Sequence, residues 1–288
     1  MKTKAARLRE LISNSAVALP GVPNAAMARQ VEQAGFEAVY ISGAGMANAT
    51  AGVPDIGLLT LTEVAQLAGY VASAVDIPAI VDADTGFGGA ENVARTVREL
   101  ERAGLVGCHI EDQEFPKRCG HLAGKNIVDV DEMVEKIKAA VAARRDPNFM
   151  IIARTDARAV EDFDRTISRA QHYLGAGADA IFPEALQSEE EFRDFAKKID
   201  LPLLANMTEF GKSPLLSFQD LAELGYRMVI FPMSAFRVAM KAGGEFLRDL
   251  KKRGTQSDWI EKMQTRKELY ELLDYDPNAE NWPAVDDR

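Results

Sequence analysis

Residues 106–112 read Val-Gly-Cys-His-Ile-Glu-Asp, a short apolar run that ends in two carboxylates. The run is too short for a helix, and its continuous apolar character is typical of a strand buried on both faces. Similar runs recur along the chain and are separated by longer stretches with helical periodicity. The eight predicted strands are residues 16–19, 38–41, 79–81, 106–110, 150–153, 180–182, 203–205 and 228–231.

Eight is the number of parallel strands, each followed by a helix, that closes an α/β barrel of the TIM type, (β/α)₈. The sequence therefore predicts this fold. Polar residues follow six consecutive predicted strands, where a barrel places its active site. They are Ser42, Gly43, Asp82, Asp84, Glu111, Asp112, Arg154, Asp156, Glu184 and Asn206. Glycines at 35, 104, 177 and 225 are expected to stop helices just before strands, a pattern that a doubly wound sheet would share.

We expect one domain over residues 1–288, with a C-terminal helical extension over about 234–288. The pattern predicts one helix over 234–252, stopped by Gly254, and a second over about 257–273. The remaining tail is polar and acidic, with two prolines.

The bulk composition excludes several classes of protein. The 288 residues are 47% hydrophobic and 27% charged, with a formal net charge of −10, which argues against a nucleic-acid partner. No run of eighteen apolar residues predicts a membrane span, and the first residues show no signal-peptide pattern. Two cysteines and three histidines cannot form a disulfide scaffold or a cysteine-rich zinc site, so we expect a cytoplasmic protein.

The loop after the fourth strand carries a thiol in a charged neighbourhood, Lys117-Arg118-Cys119-Gly120-His121. Nearby cations ease the ionisation of a thiol, so the pattern predicts proton or nucleophilic chemistry at Cys119. A surface turn with an incidental cysteine would look the same. By contrast, His109 and Cys108 lie within a strand and are expected to be core residues with satisfied contacts.

Two further groups suggest a site for an anionic substrate and a metal. Asp82 and Asp84 are two residues apart at a strand end, and such hard oxygen ligands in small number suit Mg²⁺. An Asp-rich turn is the alternative. Arg154 directly follows a strand, and its guanidinium could pair bidentately with a carboxylate, as could Arg237 and, less favourably placed, Arg266.

Taken together, these motifs resemble the isocitrate lyase and phosphoenolpyruvate mutase superfamily over nearly the whole chain. The matching segments are Tyr40-Ile41-Ser42-Gly43, Pro54-Asp55, Asp82 to Gly88, Ile110 to Gln113, Lys117 to His121, Ala153 to Ala157, Phe182 to Ala185, Leu204 to Gly211 and Met263 to Arg266. Within the superfamily the chain is most similar to the short bacterial branch, the 2-methylisocitrate lyases.

The resemblance implies Mg²⁺-dependent cleavage of a carbon–carbon bond in a small tricarboxylate or dicarboxylate, with Mn²⁺ as a possible substitute. It also implies a homotetramer, a dimer of dimers in which the last barrel helix is exchanged between subunits. Asp82 and Asp84 match metal ligands. Substrate contacts are implied for Ser42, Gly43, Ala44, Cys119, Gly120, Arg154, Glu184, Asn206, Met207, Thr208, Arg237 and Arg266.

The implied reaction needs a base for the substrate hydroxyl and an acid for the departing carbanion. We assign the acid to Cys119, tuned by Lys117 and His121, and leave Tyr40 and Glu184 as candidates for the base. Phe182, Ile230 and Pro232 match positions that accommodate the extra methyl group of the substrate.

Two departures from the family pattern leave the substrate open. The loop reads Ser-Gly-Ala-Gly over residues 42–45, where three glycines are common, and Glu114-Phe115-Pro116 precedes the thiol motif. Lyases for 2,3-dimethylmalate or isocitrate and an oxaloacetate hydrolase therefore remain alternatives. A non-catalytic barrel that binds dicarboxylates is a further alternative. It would be expected to lack a metal-binding aspartate or the thiol, whereas this chain retains Asp82, Asp84 and Cys119, which disfavours it.

Overall fold

A computed structural model describes residues 2–122 and 124–278 of the chain. The eight strands are β1 (Val17–Val22), β2 (Val39–Ile41), β3 (Ala79–Asp82), β4 (Gly107–Glu111), β5 (Met150–Thr155), β6 (Ala180–Pro183), β7 (Leu204–Asn206) and β8 (Met228–Phe231). Each lies where the sequence predicted a strand, with ends that differ by no more than three residues.

The helices are α1 (Lys4–Asn14), α2 (Ala25–Gln33), α3 (Gly43–Met46), α4 (Leu61–Ala74), α5 (Ala90–Arg102), α6 (Val130–Ala143), α7 (Phe163–Gly175), α8 (Glu189–Lys198), α9 (Phe218–Glu223), α10 (Ser234–Arg253) and α11 (Arg266–Leu272). The four predicted helix stops, Gly35, Gly104, Gly177 and Gly225, follow α2, α5, α7 and α9 with φ between 86° and 100°. This left-handed conformation costs glycine little.

All seven strand ladders are parallel, in the order β6-β5-β4-β3-β2-β1-β8-β7. A single parallel bridge between Ile181 and Leu203 links β6 to β7. The predicted TIM-type (β/α)₈ barrel is therefore confirmed, and the doubly wound alternative is excluded.

Alternation along the strands divides the core into two clusters. Side chains that point outward, such as Ile41, Val81 and Ile151, pack against the helices. Side chains that point inward, such as Tyr40 and Ile80, fill the barrel, and α1 closes its amino-terminal end with Leu8. Side chains two positions apart on a strand point to the same face. A polar residue two positions after an inward-facing one therefore also points into the barrel, at the carboxyl ends of the strands.

The C-terminal extension departs from the prediction in one place. Helix α10 ends at Gly254, as expected, but residues 257–273 do not form one helix. Residues Ser257–Lys262 form a 3₁₀ helix, Met263 is extended, and Thr265 starts α11 with a capping box to Glu268. Thr265 and Glu268 satisfy the first backbone donors of a new helix, which ends the preceding one.

Helix α10 differs from the other long helices, because none of its twenty residues, all of them described, is buried. Val238, Met240 and Leu247 are each more than half exposed. The described residues exclude 279–288, the end of the predicted extension. They also exclude Ala123, which belongs to the loop that carries Cys119 (residues 113–127, the thiol loop).

Candidate active site

A cavity of about 340 Å³ lies at the carboxyl ends of the strands. Most of the predicted site residues line it: Tyr40, Ser42, Ala44, Asp82, Lys117, Cys119, Gly120, His121, Arg154, Glu184, Asn206, Thr208 and Arg237. The loop around α3 covers one part of the cavity and the thiol loop covers another. The barrel thus brings together residues that are up to 197 positions apart in the sequence, from Tyr40 to Arg237.

Four predicted residues do not line the cavity. Gly43 lies next to Asp82, a residue of the cavity wall, since a Cβ added to Gly43 would lie 2.8 Å from Oδ2 of Asp82. Asp84 lies behind Lys117, and Met207 is buried with its amide bonded to the carbonyl of Ile230. Arg266 is exposed at the start of α11.

One side of the mouth is rich in carboxylates, and we call Asp55, Asp82, Asp84 and Lys117 the aspartate side. The ammonium of Lys117 is paired with Asp55 and lies 2.7 Å from Oδ1 of Asp84. Oδ1 of Asp82 accepts the backbone N–H of Asp84 at 2.9 Å. Burial raises the pKa of Asp84 to about 6, and the charge of Asp82 adds to the rise against the pull of Lys117.

The aspartate side fits a hard divalent cation. Three carboxylates face one ammonium, since Lys117 pairs with Asp55 and Asp84 and its charge also acts on the buried Asp82. No group of three or more His, Cys, Asp or Glu side chains within the described ranges forms a ready-made metal cage. Mg²⁺ does not need one, since it is commonly held by one or two carboxylates, with water and substrate oxygens completing the octahedron.

The opposite side of the mouth is organised around Arg154, and we call Arg154, Asp156, Glu184, His121 and Lys125 the arginine side. Arg154 donates through Nε and Nη2 to both oxygens of Asp156, at 2.9 and 3.2 Å. Its Nη1 lies 3.4 Å from Oε2 of Glu184, and its guanidinium stacks over the ring of Phe182. These contacts fix the plane of the guanidinium at the cavity wall.

Glu184 and His121 form a second pair on this side. Nε2 of His121 lies 2.6 Å from Oε1 of Glu184, while Nδ1 accepts the backbone N–H of Lys212 at 2.9 Å. Nε2 is therefore the nitrogen that carries a proton toward Glu184. Burial alone would raise the pKa of Glu184, but Arg154 and His121 hold it well below its usual range. Glu184 is thus a carboxylate at neutral pH.

The prediction that neighbouring cations ease the ionisation of Cys119 is wrong. Lys117 is paired with Asp55 and Asp84, and His121 with Glu184, so neither charge is directed at the thiol. Burial raises the pKa of the Cys119 thiol, and the charge of Glu184 adds to this effect. Cys119 is therefore a protonated thiol at neutral pH, which suits an acid rather than a nucleophile.

Tyr40 and His109 form a buried pair inside the barrel, with the phenol oxygen 2.9 Å from Nε2 of His109. Burial, with the charge of Asp82, raises the pKa of Tyr40 well above its usual value, so the phenol keeps its proton. The expectation that His109 is a fully satisfied core residue is wrong, since its Nδ1 has no hydrogen-bond partner among residues 2–122 and 124–278. Cys108 is buried, as predicted.

Sequence reasoning missed several residues of the site. Asn48 and Met233 line the cavity, while Lys125 supports its wall. Asp156 was predicted at the end of the fifth strand, and the structure shows its contact with Arg154, which residues two apart on a strand can make because they share a face. Lys125 gives no such local signal.

Comparisons with known proteins agree with this architecture. Residues 8–251 match the family model described as phosphoenolpyruvate phosphomutase. A 2-methylisocitrate lyase of Aeropyrum pernix is 54% identical over 269 residues, covering 93% of this chain and 86% of that protein. The 2-methylisocitrate lyase of Escherichia coli is 45% identical over 266 residues, covering 92% and 90%.

Solved structures give the same picture. The crystal structure of 2,3-dimethylmalate lyase superposes with a TM-score of 0.90 at 38% identity, covering 95% of this chain and 92% of that one. Oxaloacetate acetylhydrolase bound to 3,3-difluorooxalacetate gives a TM-score of 0.89 at 35% identity, covering 94% and 93%. No helix in the described parts of the chain is long and apolar enough to cross a membrane. The chain therefore belongs to the phosphoenolpyruvate mutase/isocitrate lyase superfamily, and it is a carbon–carbon lyase of that superfamily.

Proposed function

We propose that the chain is a Mg²⁺-dependent 2-methylisocitrate lyase, which cleaves 2-methylisocitrate to pyruvate and succinate in propionate breakdown. The observation that carries the proposal is that the thiol of Cys119 lines the same cavity as the carboxylate of Asp82 and the guanidinium of Arg154, which Asp156 holds in place. Curated relatives at 45–56% identity bear the name of this activity. The substrate is a tricarboxylate, which matches a mouth that offers cationic and metal-binding groups on opposite sides.

Asp82 and Asp84 would hold the Mg²⁺ ion, and Mn²⁺ is a plausible substitute because it accepts the same oxygen ligands. When bound, the ion lowers the pKa of the substrate hydroxyl and stabilises negative charge on oxygen. Gly43 lies against Asp82 at the start of α3, and the backbone N–H groups of Gly43 and Ala44 would bind a substrate carboxylate. Arg154 would bind a second carboxylate, with Asn206, Thr208 and Arg237 at the cavity rim.

The proton transfers follow from the charge states of the side chains. Glu184 is ionised and accepts the hydroxyl proton, whereas Tyr40 retains its own and is better suited to donate a hydrogen bond. The carbon–carbon bond then breaks, its electron pair stays on the succinate half, and pyruvate leaves as the ketone. Cys119 donates its proton to that carbon and completes succinate.

The resting assembly we propose is a homotetramer built from two helix-exchanged dimers. The support is the exposed apolar face of α10, which packs little of its surface within its own chain. We also propose a cytoplasmic location, where the two free cysteines, both described, remain reduced.

The test is product analysis with purified protein and Mg²⁺ on 2-methylisocitrate, isocitrate, 2,3-dimethylmalate and oxaloacetate, each offered separately with an EDTA control. The proposal expects the highest kcat/KM for 2-methylisocitrate, with release of pyruvate. Faster glyoxylate release from isocitrate, propionate release from dimethylmalate or oxaloacetate hydrolysis would replace it by the corresponding activity. No turnover of any of the four would favour a dicarboxylate-binding barrel.

Cys119→Ser tests the assignment of the acid. Serine keeps the size and polarity of the site but is a far weaker acid, so kcat should fall about 100-fold or more. Binding of substrate should change little, and Cys108→Ala serves as the control because Cys108 is buried outside the cavity. A Cys119→Ser enzyme with near-normal kcat would exclude Cys119 as the proton donor.

A further inference from the structure

Lys125 is a buried lysine that the proposed reaction does not use. It belongs to the thiol loop, residues 113–127, and its side chain is only 2% exposed. Its ammonium donates to the backbone carbonyl of Gly120 and to Oδ1 of Asp156. A buried ammonium with two defined acceptors is a costly group to retain without a role.

The two ends of the thiol loop are held by the backbone. Gln113 and Ile127 form an antiparallel bridge, and the amide of Glu114 donates to the carbonyl of Asn126 at 3.0 Å. These bonds fix the stem of the loop, five or more residues from the thiol. The side chain of Gln113 extends this anchoring to Arg118, because it accepts the amide of Arg118 and donates to the carbonyl of Arg118, both at 2.9 Å. These bonds end on the residue before the thiol and do not involve Gly120, the residue after it.

Lys125 supplies the connection on the Gly120 side. It extends from the stem to the carbonyl of Gly120, the residue that follows the thiol. The turn packs tightly at this point, since a Cβ added to Gly120 would lie 2.4 Å from Nη2 of Arg154 and 2.6 Å from Cγ of Glu184. A small displacement of the Gly120 carbonyl would therefore move the thiol relative to the guanidinium.

Asp156 is the other end of the connection. Its carboxylate is fully buried and accepts from both Arg154 and Lys125, while its amide donates to Oδ1 of Asp112 at 2.8 Å. Without Lys125, the guanidinium of Arg154 would be the principal counter-charge to Asp156 and would have less capacity for an anionic ligand.

We propose that Lys125 is a positioning residue that ties the Cys119–Gly120 turn to the Asp156–Arg154 pair. The ammonium of Lys125 positions Cys119 through the carbonyl of Gly120. It positions Arg154 through the carboxylate of Asp156, which both side chains share. The consequence for turnover rests on the proposed function. The consequence for the position of the thiol does not, because it concerns the loop alone.

Lys125→Met tests both consequences, since methionine fills similar space and donates no hydrogen bond. The first readout is the rate at which an aromatic disulfide reagent labels Cys119 in the folded, substrate-free protein. We expect labelling at least about tenfold faster, because the released turn opens more often. The second is kcat on 2-methylisocitrate, which should fall about 100-fold because the thiol no longer lies in place. Cys119→Ser identifies the labelled thiol.

Lys136→Met is the matched control, because Lys136 is also buried but lies on α6 and pairs with Glu132 at 3.1 Å. It should change neither readout by more than about twofold, while a general loss of packing would change both variants alike. Lys125→Gln, which keeps a donor without the charge, should fall between the parent and Lys125→Met.

Parental labelling and parental kcat in folded Lys125→Met would overturn the proposal. If that variant does not fold, Lys125→Gln decides by the same two readouts, with unchanged values counting against the proposal. A parent protein without turnover would overturn the proposed function instead, while the labelling ratio would still test the position of the turn.

Discussion

The aspartate side and the arginine side of the mouth are both built from charged residues but differ in how those charges are balanced. On the aspartate side, Asp55, Asp82 and Asp84 face the single ammonium of Lys117. On the arginine side, each buried carboxylate has a paired cation or donor, as Asp156 has in Arg154 and Lys125. The first side has more carboxylates than cations and is the side where we propose that a metal ion binds, whereas Asp156 and Glu184 on the second side are paired within the chain.

The difference shows how one barrel mouth can bind a multiply charged anion. The arginine side is pre-organised, so a substrate carboxylate pays little to order it. The excess negative charge of the aspartate side repels such a ligand, and the proposed divalent ion would reverse this repulsion. Variants on the two sides should therefore respond differently to the concentration of Mg²⁺.

Arg154→Met should have the largest effect. It removes the buried guanidinium and leaves Asp156 and Glu184 without their main counter-charge, a change of about 3–5 kcal/mol. We expect kcat/KM to fall about 10³-fold, with no recovery when Mg²⁺ is raised. Arg158→Met is the control, because Arg158 pairs with Glu191 outside the cavity. Recovery at high Mg²⁺ would contradict the separation of the two sides.

Gly120→Ala should come next, since the added methyl group would collide with Arg154 and Glu184. Because the displaced turn carries the thiol, we expect kcat to fall roughly 30-fold to 100-fold. Gly175→Ala is the matched control, as an added Cβ there meets no described atom within 4 Å and Gly175 is the last residue of α7. Steady-state kinetics that give the same loss of kcat for both variants would show that the close packing of Gly120 does not matter for turnover.

Asp84→Asn should have a smaller and reversible effect. It removes a charged ligand while keeping the shape of the side chain, so half-maximal activity should need about tenfold more Mg²⁺. Saturating Mg²⁺ should restore most of kcat, in contrast to Arg154→Met. Asp131→Asn, at an exposed position on α6, is the control in the same titration. An unchanged Mg²⁺ requirement would remove Asp84 from the metal site.

The smallest predicted effect is that of pH on kcat, which should change little in the neutral range. Burial raises the pKa of Cys119 above its ordinary value of 9.0, and an acid acts only while protonated. The protonated fraction is full below that pKa and is lost as the pH rises through it. We therefore expect kcat to be flat on this account from pH 7 to about 8.5 and to fall only above about 9, with the alkaline limb absent in Cys119→Ser. A limb centred near pH 7 would indicate another acid.

Much of the fold could be predicted because its signals are local. The eight apolar runs and the glycines that follow α2, α5, α7 and α9 depend on neighbouring residues only. The break between residues 262 and 266 was missed although Thr265 and Glu268 form a readable capping box. The prediction of one helix over residues 257–273 did not use this box, which marks the start of a new helix.

The site could be predicted less completely, because its electrostatics depend on pairs far apart in sequence. Lys117 adjoins the thiol in the sequence but pairs with Asp55, 62 residues away. Proximity in the chain therefore gave the wrong direction for the pKa of Cys119. Lys125 and Asp156 are 31 residues apart and become partners only when the barrel closes.

The raised pKa of Cys119 has a consequence for the life of the enzyme under oxidative stress. Peroxides attack the thiolate of cysteine far faster than the thiol, and the first product is a sulfenic acid. A donor held in its protonated form is therefore a slow target for oxidation at neutral pH. The same burial that keeps the thiol protonated for its proposed role thus slows oxidation of the sulfur between turnovers.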